Sequence, residues 1–100
     1  MALIWSLLPR PLRQFLRDHV AARRHAATLR LIRESGLFDV TWYRETYPDV
    51  AARGIDPVLH YVQHGAREGR DPNSLFSSSW YLTTYPEVAA CGANPLADYI

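Results

Sequence analysis

His60 and His64 have the spacing of a two-histidine metal site. In a helix, side chains four positions apart lie on one face, where two imidazoles can bind one metal ion. The zinc-protease form of this pattern needs a glutamate between the histidines, and none is present here. Position 98, which corresponds to His60 in the repeat described below, is an aspartate. We therefore predict no metal site and no bound cofactor.

The other residue types of catalysis occur where structural roles explain them. Cys91 is the only cysteine, so no internal disulfide can form, which fits a reducing compartment. In the repeat described below, Cys91 corresponds to Arg53, which argues against a role for Cys91 as a nucleophile. Asp39 and Asp56 fall at capping and turn positions, and the five glycines form no phosphate-binding loop. We predict no catalytic site in these 100 residues.

Arginine is the residue type whose distribution predicts binding. The chain contains eleven arginines and no lysine. Residues 1–36 contain seven of them against two carboxylates, a balance of +5, and residues 37–100 contain four against eight, a balance of −4. Guanidinium groups pair bidentately with phosphate or carboxylate, so the basic segment predicts an acidic partner. The codon bias of a GC-rich genome would produce the same preference for arginine over lysine.

A helix over residues 10–32 would position these arginines. The segment is rich in alanine, has proline at its start and contains no glycine before Gly36. At about 100° per residue, Leu12, Phe15 and Leu16 cluster on one side. Four arginines cluster on nearly the opposite side: Arg10, Arg13, Arg17 and Arg24.

Two interpretations of this basic helix are open. In the first, the helix lies on a membrane surface and its arginines face anionic head groups. In the second, its apolar side packs on the repeats, and its less regular second half packs there through Leu29 and Ile32. No nucleic-acid-binding motif accompanies the helix, so no nucleic acid is expected as a partner. The candidate membrane or partner contacts are Trp5, Arg10, Arg13, Arg17 and Arg24.

Residues 37–62 recur as residues 75–100 at a constant offset of 38 positions. Thirteen of the 26 aligned pairs are identical, among them Trp42 with Trp80 and Tyr43 with Tyr81. A fixed period of this size is typical of stacked supersecondary units. The repeat therefore predicts two copies of one packing unit.

Each copy contains the signals for three short helices. An Asp or Ser cap precedes the Trp-Tyr pair, a proline ends the first helix and begins the second, and a glycine ends the second. A capping residue followed by proline then begins the third helix. These signals are Asp39, Pro48, Gly54 and Asp56-Pro57 in the first copy, and Ser77, Pro86, Gly92 and Asn94-Pro95 in the second. Because such short helices are unstable alone, we expect their Trp, Tyr and aliphatic side chains to face inward as a shared core.

The sequence thus predicts an all-α chain with a long N-terminal helix followed by short-helix repeats of 38-residue period. The basic helix comprises residues 1–36, the first repeat residues 37–74 and a truncated second repeat residues 75–100. Ile100 aligns with Val62, in the middle of the third helix, so we expect the chain to be the N-terminal piece of a longer protein. A complete small protein whose last turn frays is the alternative.

Four strings between Leu31 and Ile100 resemble the helical repeats of large bacterial glycosyltransferases of surface-polysaccharide synthesis, the rhamnan-synthesis type among them. The strings are Trp-Tyr, Tyr-Pro-Asp-Val-Ala-Ala-x-Gly, Asp-Pro-x-x-His-Tyr and Gly-Ala-x-Glu-Gly-Arg-Asp-Pro. The resemblance implies a cytoplasmic parent protein, peripheral to the inner membrane, that transfers sugar from a nucleotide donor. This segment would be its non-catalytic scaffold or targeting region, with the downstream catalytic domain, another protein or an anionic membrane surface as partner. No Asp-x-Asp motif is present, so no catalytic residue carries over.

Two other functions fit the same residues. One is a stand-alone protein-interaction module built from helical repeats. The other is a carbohydrate-binding repeat in which exposed Trp and Tyr rings stack on sugars, an arrangement that burial of Trp42 and Trp80 would disfavour.

Overall fold

The computed structural model describes residues 7–100, without the side chains of residues 20–22. Over this range the chain is helical and contains no β-strand, which confirms the all-α prediction. Helix α1, Arg10–Ser35, starts after Pro9, and its other proline, Pro11, lies in the first turn, where no N–H is needed. Gly36 ends the helix in the left-handed conformation, with φ of 73°.

Four further elements follow α1: α2, Val40–Thr46; α3, Pro48–Ala52; α4, Pro57–His60; and a π-helix, Tyr61–Gly65, which continues directly from α4. The Asp39 carboxylate caps α2 by accepting from the Trp42 N–H at 2.9 Å. The Asp56 carboxylate caps α4 in the same way by accepting from the Val58 N–H at 3.0 Å. These caps satisfy backbone donors that have no partner inside a helix.

Residues 66–77, called here the connector, link the π-helix to three further helices. These are α5, Ser78–Thr84; α6, Pro86–Ala90; and α7, Pro95–Tyr99. Ser77 caps α5 through the Trp80 N–H, and Asn94 caps α7 through the N–H groups of Leu96 and Ala97. Tyr85, between α5 and α6, has φ −122° and ψ 74°, close to the −121° and 76° of Tyr47 between α2 and α3. Similar residues therefore produce similar local bends in both segments.

The core lies where α1 meets α4, the π-helix and α7. Helix α1 contributes the fully buried Ile32 and the partly buried Leu29, as the sequence predicts for its second half. The other buried members of this cluster are Tyr43, Val50, Val58, Tyr61, Ala66 and Leu96. No described helix has the length and hydropathy needed to cross a bilayer.

The aromatic residues differ in burial between the two copies. Tyr43 is fully buried and Trp42 is half-buried, whereas Trp80 is 62% exposed and Tyr99 is 61% exposed. Tyr85 is also exposed. The prediction that the rings of both copies face inward is therefore wrong for these three residues of the second copy. One physical reason is that the connector contacts Tyr47 of the first copy, as described below, whereas no segment of the described chain makes the equivalent contacts with Tyr85.

Candidate functional site

The N-terminal half of α1 carries three of the arginines that the sequence analysis selected. Arg10 and Arg17 are exposed, and Arg13 is half-buried. Together with Pro11 and Gln14, these arginines line one groove on the helix. The spacing of three and four residues places them on one side of the helix, so their positive charges add. Trp5, the apolar member of the predicted site, lies outside the described residues.

The apolar side of the same half-helix is not covered by the repeats. Phe15 is 64% exposed and Leu12 is 42% exposed. The Phe15 ring stacks on the neighbouring turn, with its centroid 6.2 Å from that of His19. The interpretation in which this side packs on the repeats is therefore wrong for Leu12 and Phe15. Exposed apolar side chains opposite a basic stripe are the features by which a helix binds a membrane surface.

Arg24 has a different environment from the other three arginines. Its guanidinium donates a long hydrogen bond of 3.5 Å to the Cys91 carbonyl, at the end of α6. With His25 and Thr28 it lines a cavity between α1 and the helices α5, α6 and α7. Arg24 thus faces the second copy, while Arg10, Arg13 and Arg17 line the groove nearer the N-terminus.

Of the two histidines with metal-site spacing, His60 is part of the packed interior and His64 is exposed. His60 is buried, and its Nδ1 atom is hydrogen-bonded to Tyr43 Oη at 2.8 Å. The exposed His64 ring lies 6.0 Å from the His60 ring, between centroids. Among residues 7–100, no group of three or more His, Cys, Asp or Glu side chains is arranged to hold a metal ion. Burial and the bond to Tyr43 thus account for His60.

Asp98 makes in the second copy the hydrogen bond that His60 makes in the first. Tyr81 Oη donates to the Asp98 carboxylate at 2.6 Å, across the same separation of 17 positions as the Tyr43–His60 pair. This bond, more than burial, raises the pKa of Tyr81 to about 12, because the carboxylate stabilises the protonated phenol. The exchange of histidine for aspartate therefore keeps an acceptor for the tyrosine. This role was not predicted from the sequence, although His60 and Asp98 can both accept a hydrogen bond and both lie 17 positions after a tyrosine.

The connector after the π-helix forms a clamp over the Tyr47 ring of the first copy. The Arg70 guanidinium donates to both Asp49 oxygens, at 2.8 and 2.9 Å. Its central carbon lies 4.9 Å from the centroid of the Tyr47 ring, a cation–π distance. Tyr47 Oη accepts from the Asp71 N–H at 2.8 Å. No role in packing was predicted for this segment, although the Glu-Gly-Arg-Asp-Pro string within it supplies the clamp.

Attraction between the charges of Arg70 and Asp49 also stabilises the clamp. The hydrogen bond from Arg70 lowers the pKa of Asp49, and the same bond raises the pKa of Arg70. A bidentate guanidinium–carboxylate pair has a fixed geometry as well as a favourable charge. Residues 70 and 71 therefore close over Tyr47 in one defined arrangement.

The buried His60 predicts a loss of stability in mild acid. Burial, and after it the positive charge of Arg70, lowers the pKa of His60 below 6.5, while Glu68 and Asp49 act in the opposite direction. The unfolded chain therefore takes up this proton at a higher pH than the folded chain does. The free energy of unfolding should fall as the pH drops from about 6.5 towards the lowered pKa, and change little above that range. Urea unfolding measured at a series of pH values checks this expectation.

Two single variants separate His60 from the other histidines. His60→Gln should remove most of the pH dependence, because glutamine does not titrate. His64→Gln should keep most of it, because His60 remains and the charge of His64 is the smallest of the influences on the pKa of His60. The same dependence on pH in His60→Gln and in the unmodified protein would contradict the assignment.

No family model matches this chain, and no curated protein or solved structure matches it either, so its function is inferred from its own residues.

Proposed function

We propose that this chain is a non-catalytic helical-repeat scaffold whose basic N-terminal helix holds it against an anionic membrane surface. The observation that carries the proposal is the half-helix that exposes Leu12 and Phe15 while Arg10, Arg13 and Arg17 line a groove on it. Apolar burial and attraction between arginines and anionic lipids both contribute to interfacial binding. Membrane contact would therefore use the N-terminal half of α1, whose apolar side is not covered by the repeats.

The scaffold in this proposal is the long helix α1 together with two units of 38-residue period, residues 37–74 and 75–100. Three observations support it. The helix caps and the Tyr-Pro bends match between the units. The tyrosine at the start of each unit bonds an acceptor 17 positions later. Helices α4 and α7, which begin at equivalent prolines, both pack on α1.

The setting of this scaffold follows from the resemblance of residues 31–100 to the repeats of surface-polysaccharide glycosyltransferases. We infer a cytoplasmic parent protein at the inner membrane in which this region positions a downstream sugar-transferring domain. The donor would be a nucleotide sugar bound by that domain, because these residues supply no catalytic group.

Charge reversal on α1 tests the membrane contact. The protein should co-sediment with vesicles that contain phosphatidylglycerol, and Arg13→Glu/Arg17→Glu should weaken this binding at least tenfold. Each arginine near an anionic surface contributes about 1 kcal/mol, and reversal replaces that attraction with repulsion, whereas a tenfold loss corresponds to about 1.4 kcal/mol. Phe15→Ser should also weaken binding, because it removes apolar area from the interface.

The matched control is Arg44→Glu/Arg53→Glu, which makes the same change in net charge at two exposed residues of the first repeat. This variant should bind vesicles almost as well as the unmodified protein. Equal losses in the two double variants would show that net charge alone governs binding. That result, or no binding to anionic vesicles by the unmodified protein, would rule out the proposed role of α1.

A further inference from the structure

Trp80, Tyr85 and Glu87 form an uncovered surface on α5 and α6, called here the α5–α6 face. Trp80 is 62% exposed, Tyr85 is 41% exposed and Glu87 is exposed. An indole and a phenol ring exposed beside a carboxylate offer apolar area, a hydrogen-bond acceptor and a negative charge to a ligand.

The α5–α6 face has nearly the ring geometry of the clamped surface on α2 and α3. The Trp80 and Tyr85 centroids lie 6.5 Å apart with their planes at 87°, against 6.2 Å and 89° for Trp42 and Tyr47. The distance from Tyr81 to Tyr85 is 4.8 Å, against 4.7 Å from Tyr43 to Tyr47. The face therefore has the shape of a bound surface without its clamp.

The clamped surface identifies the chemistry that covers such a face. On α2 and α3, Arg70 lies over the Tyr47 ring and donates to both oxygens of Asp49, and the next N–H donates to Tyr47 Oη. Gly69 precedes the arginine with φ of 84°, a conformation that favours glycine. The covering segment is thus Gly-Arg-Asp, in a bend that presents a guanidinium and a backbone donor together.

The α5–α6 face keeps the groups that this segment recognises. Tyr85 corresponds to Tyr47, and Glu87 corresponds to Asp49 at the same offset of 38. A glutamate can accept a bidentate guanidinium as an aspartate does. Arg70 itself is engaged by Asp49 and Glu68, so it is not the partner of Glu87.

We propose that the α5–α6 face binds a segment of a partner protein with the chemistry of residues 69–72, Gly-Arg-Asp-Pro. Its arginine stacks on the Tyr85 ring and pairs with Glu87, and its next backbone N–H donates to Tyr85 Oη. The indole of Trp80 covers the side of the arginine stem. This interaction surface lies on the repeats, so it is independent of the membrane contact proposed for α1.

A peptide with the sequence of residues 65–74 tests the proposal on the complete chain. Titration of this peptide should shift the indole N–H resonance of Trp80, which Trp80→Phe identifies by its loss. Glu87→Arg should reduce the affinity at least tenfold, because it replaces the pairing carboxylate with a positive charge that repels the arginine of the peptide. The matched control, Glu45→Arg, reverses an exposed glutamate of α2 and should leave the affinity unchanged.

A charge-swapped peptide tests the pairing itself. Replacing the peptide residue that corresponds to Arg70 with glutamate should abolish binding to the unmodified protein and restore it in Glu87→Arg. The proposal is wrong if no resonance shifts at millimolar peptide, or if the swapped peptide binds both proteins equally. It is equally wrong if oligosaccharides shift the Trp80 resonance and the peptide does not, since the face would then be a sugar-binding surface.

Discussion

Replacing Gly65 with alanine is expected to lower the free energy of unfolding by about 2 kcal/mol, although alanine is the better helix former. A Cβ atom at this position would collide with Tyr43 Oη and would lie 3.4 Å from His60 Nδ1. Tyr43 is fully buried among aromatic rings, the nearest being Tyr47 at 4.7 Å between centroids, so its phenol has no room to withdraw. Urea unfolding of the variant at neutral pH measures the loss.

The double variant Tyr43→Phe/Gly65→Ala separates this collision from other effects. Tyr43→Phe alone should cost about 1 kcal/mol, because it removes the hydrogen bond to His60. In that background the alanine meets no hydroxyl, and its cost should fall below about 1 kcal/mol or become a small gain from helix propensity. If Gly65→Ala costs the same with and without the hydroxyl, the collision with Tyr43 is not its cause.

Replacing Ile32 with alanine is expected to cost about 3 kcal/mol, the largest effect predicted for this chain. Ile32 is fully buried and belongs to the core cluster that includes Val58 of α4 and Leu96 of α7. The substitution would leave a cavity where α1 packs on both segments. Stability of a domain this size is about 5–15 kcal/mol, so the loss would be visible as a lower urea midpoint.

The neighbouring Leu31 provides the control for this prediction. Leu31 is 41% exposed, so Leu31→Ala removes similar atoms from a position that is largely solvated. Its cost should stay below about 1 kcal/mol, as is usual for surface substitutions. Similar losses in the two variants would contradict the assignment of Ile32 as the residue that joins α1 to the repeats.

The polar partners of Tyr43 and Tyr81 show how two copies can differ in sequence and keep one role. His60 is buried, whereas Asp98 is exposed and accepts from Tyr81. A carboxylate suits the solvated position, because burial of an unpaired charge is costly, and an imidazole suits the buried one. The exchange of residue type therefore follows the difference in burial between the copies.

The sequence alone determined where the first two helices of each copy begin and end. The signals are Asp39 and Ser77 as caps, Pro48 and Pro86 at the bends, and a glycine after each second helix. These signals act between residues a few positions apart, so they operate in the same way wherever the segment lies. For α1 the sequence left two interpretations open, and burial of Ile32 with partial burial of Leu29 confirms for its second half the one in which it packs on the repeats.

The tertiary structure alone decided which faces are covered. Tyr47 and Tyr85 stand in nearly identical strings, yet among the described residues only Tyr47 has a clamp, because the chain returns over it through Arg70 and Asp71. Periodicity likewise places Phe15 on an apolar side of α1 without indicating what that side touches. Local signals extend over a few residues, whereas burial depends on which distant segment the chain path brings into contact.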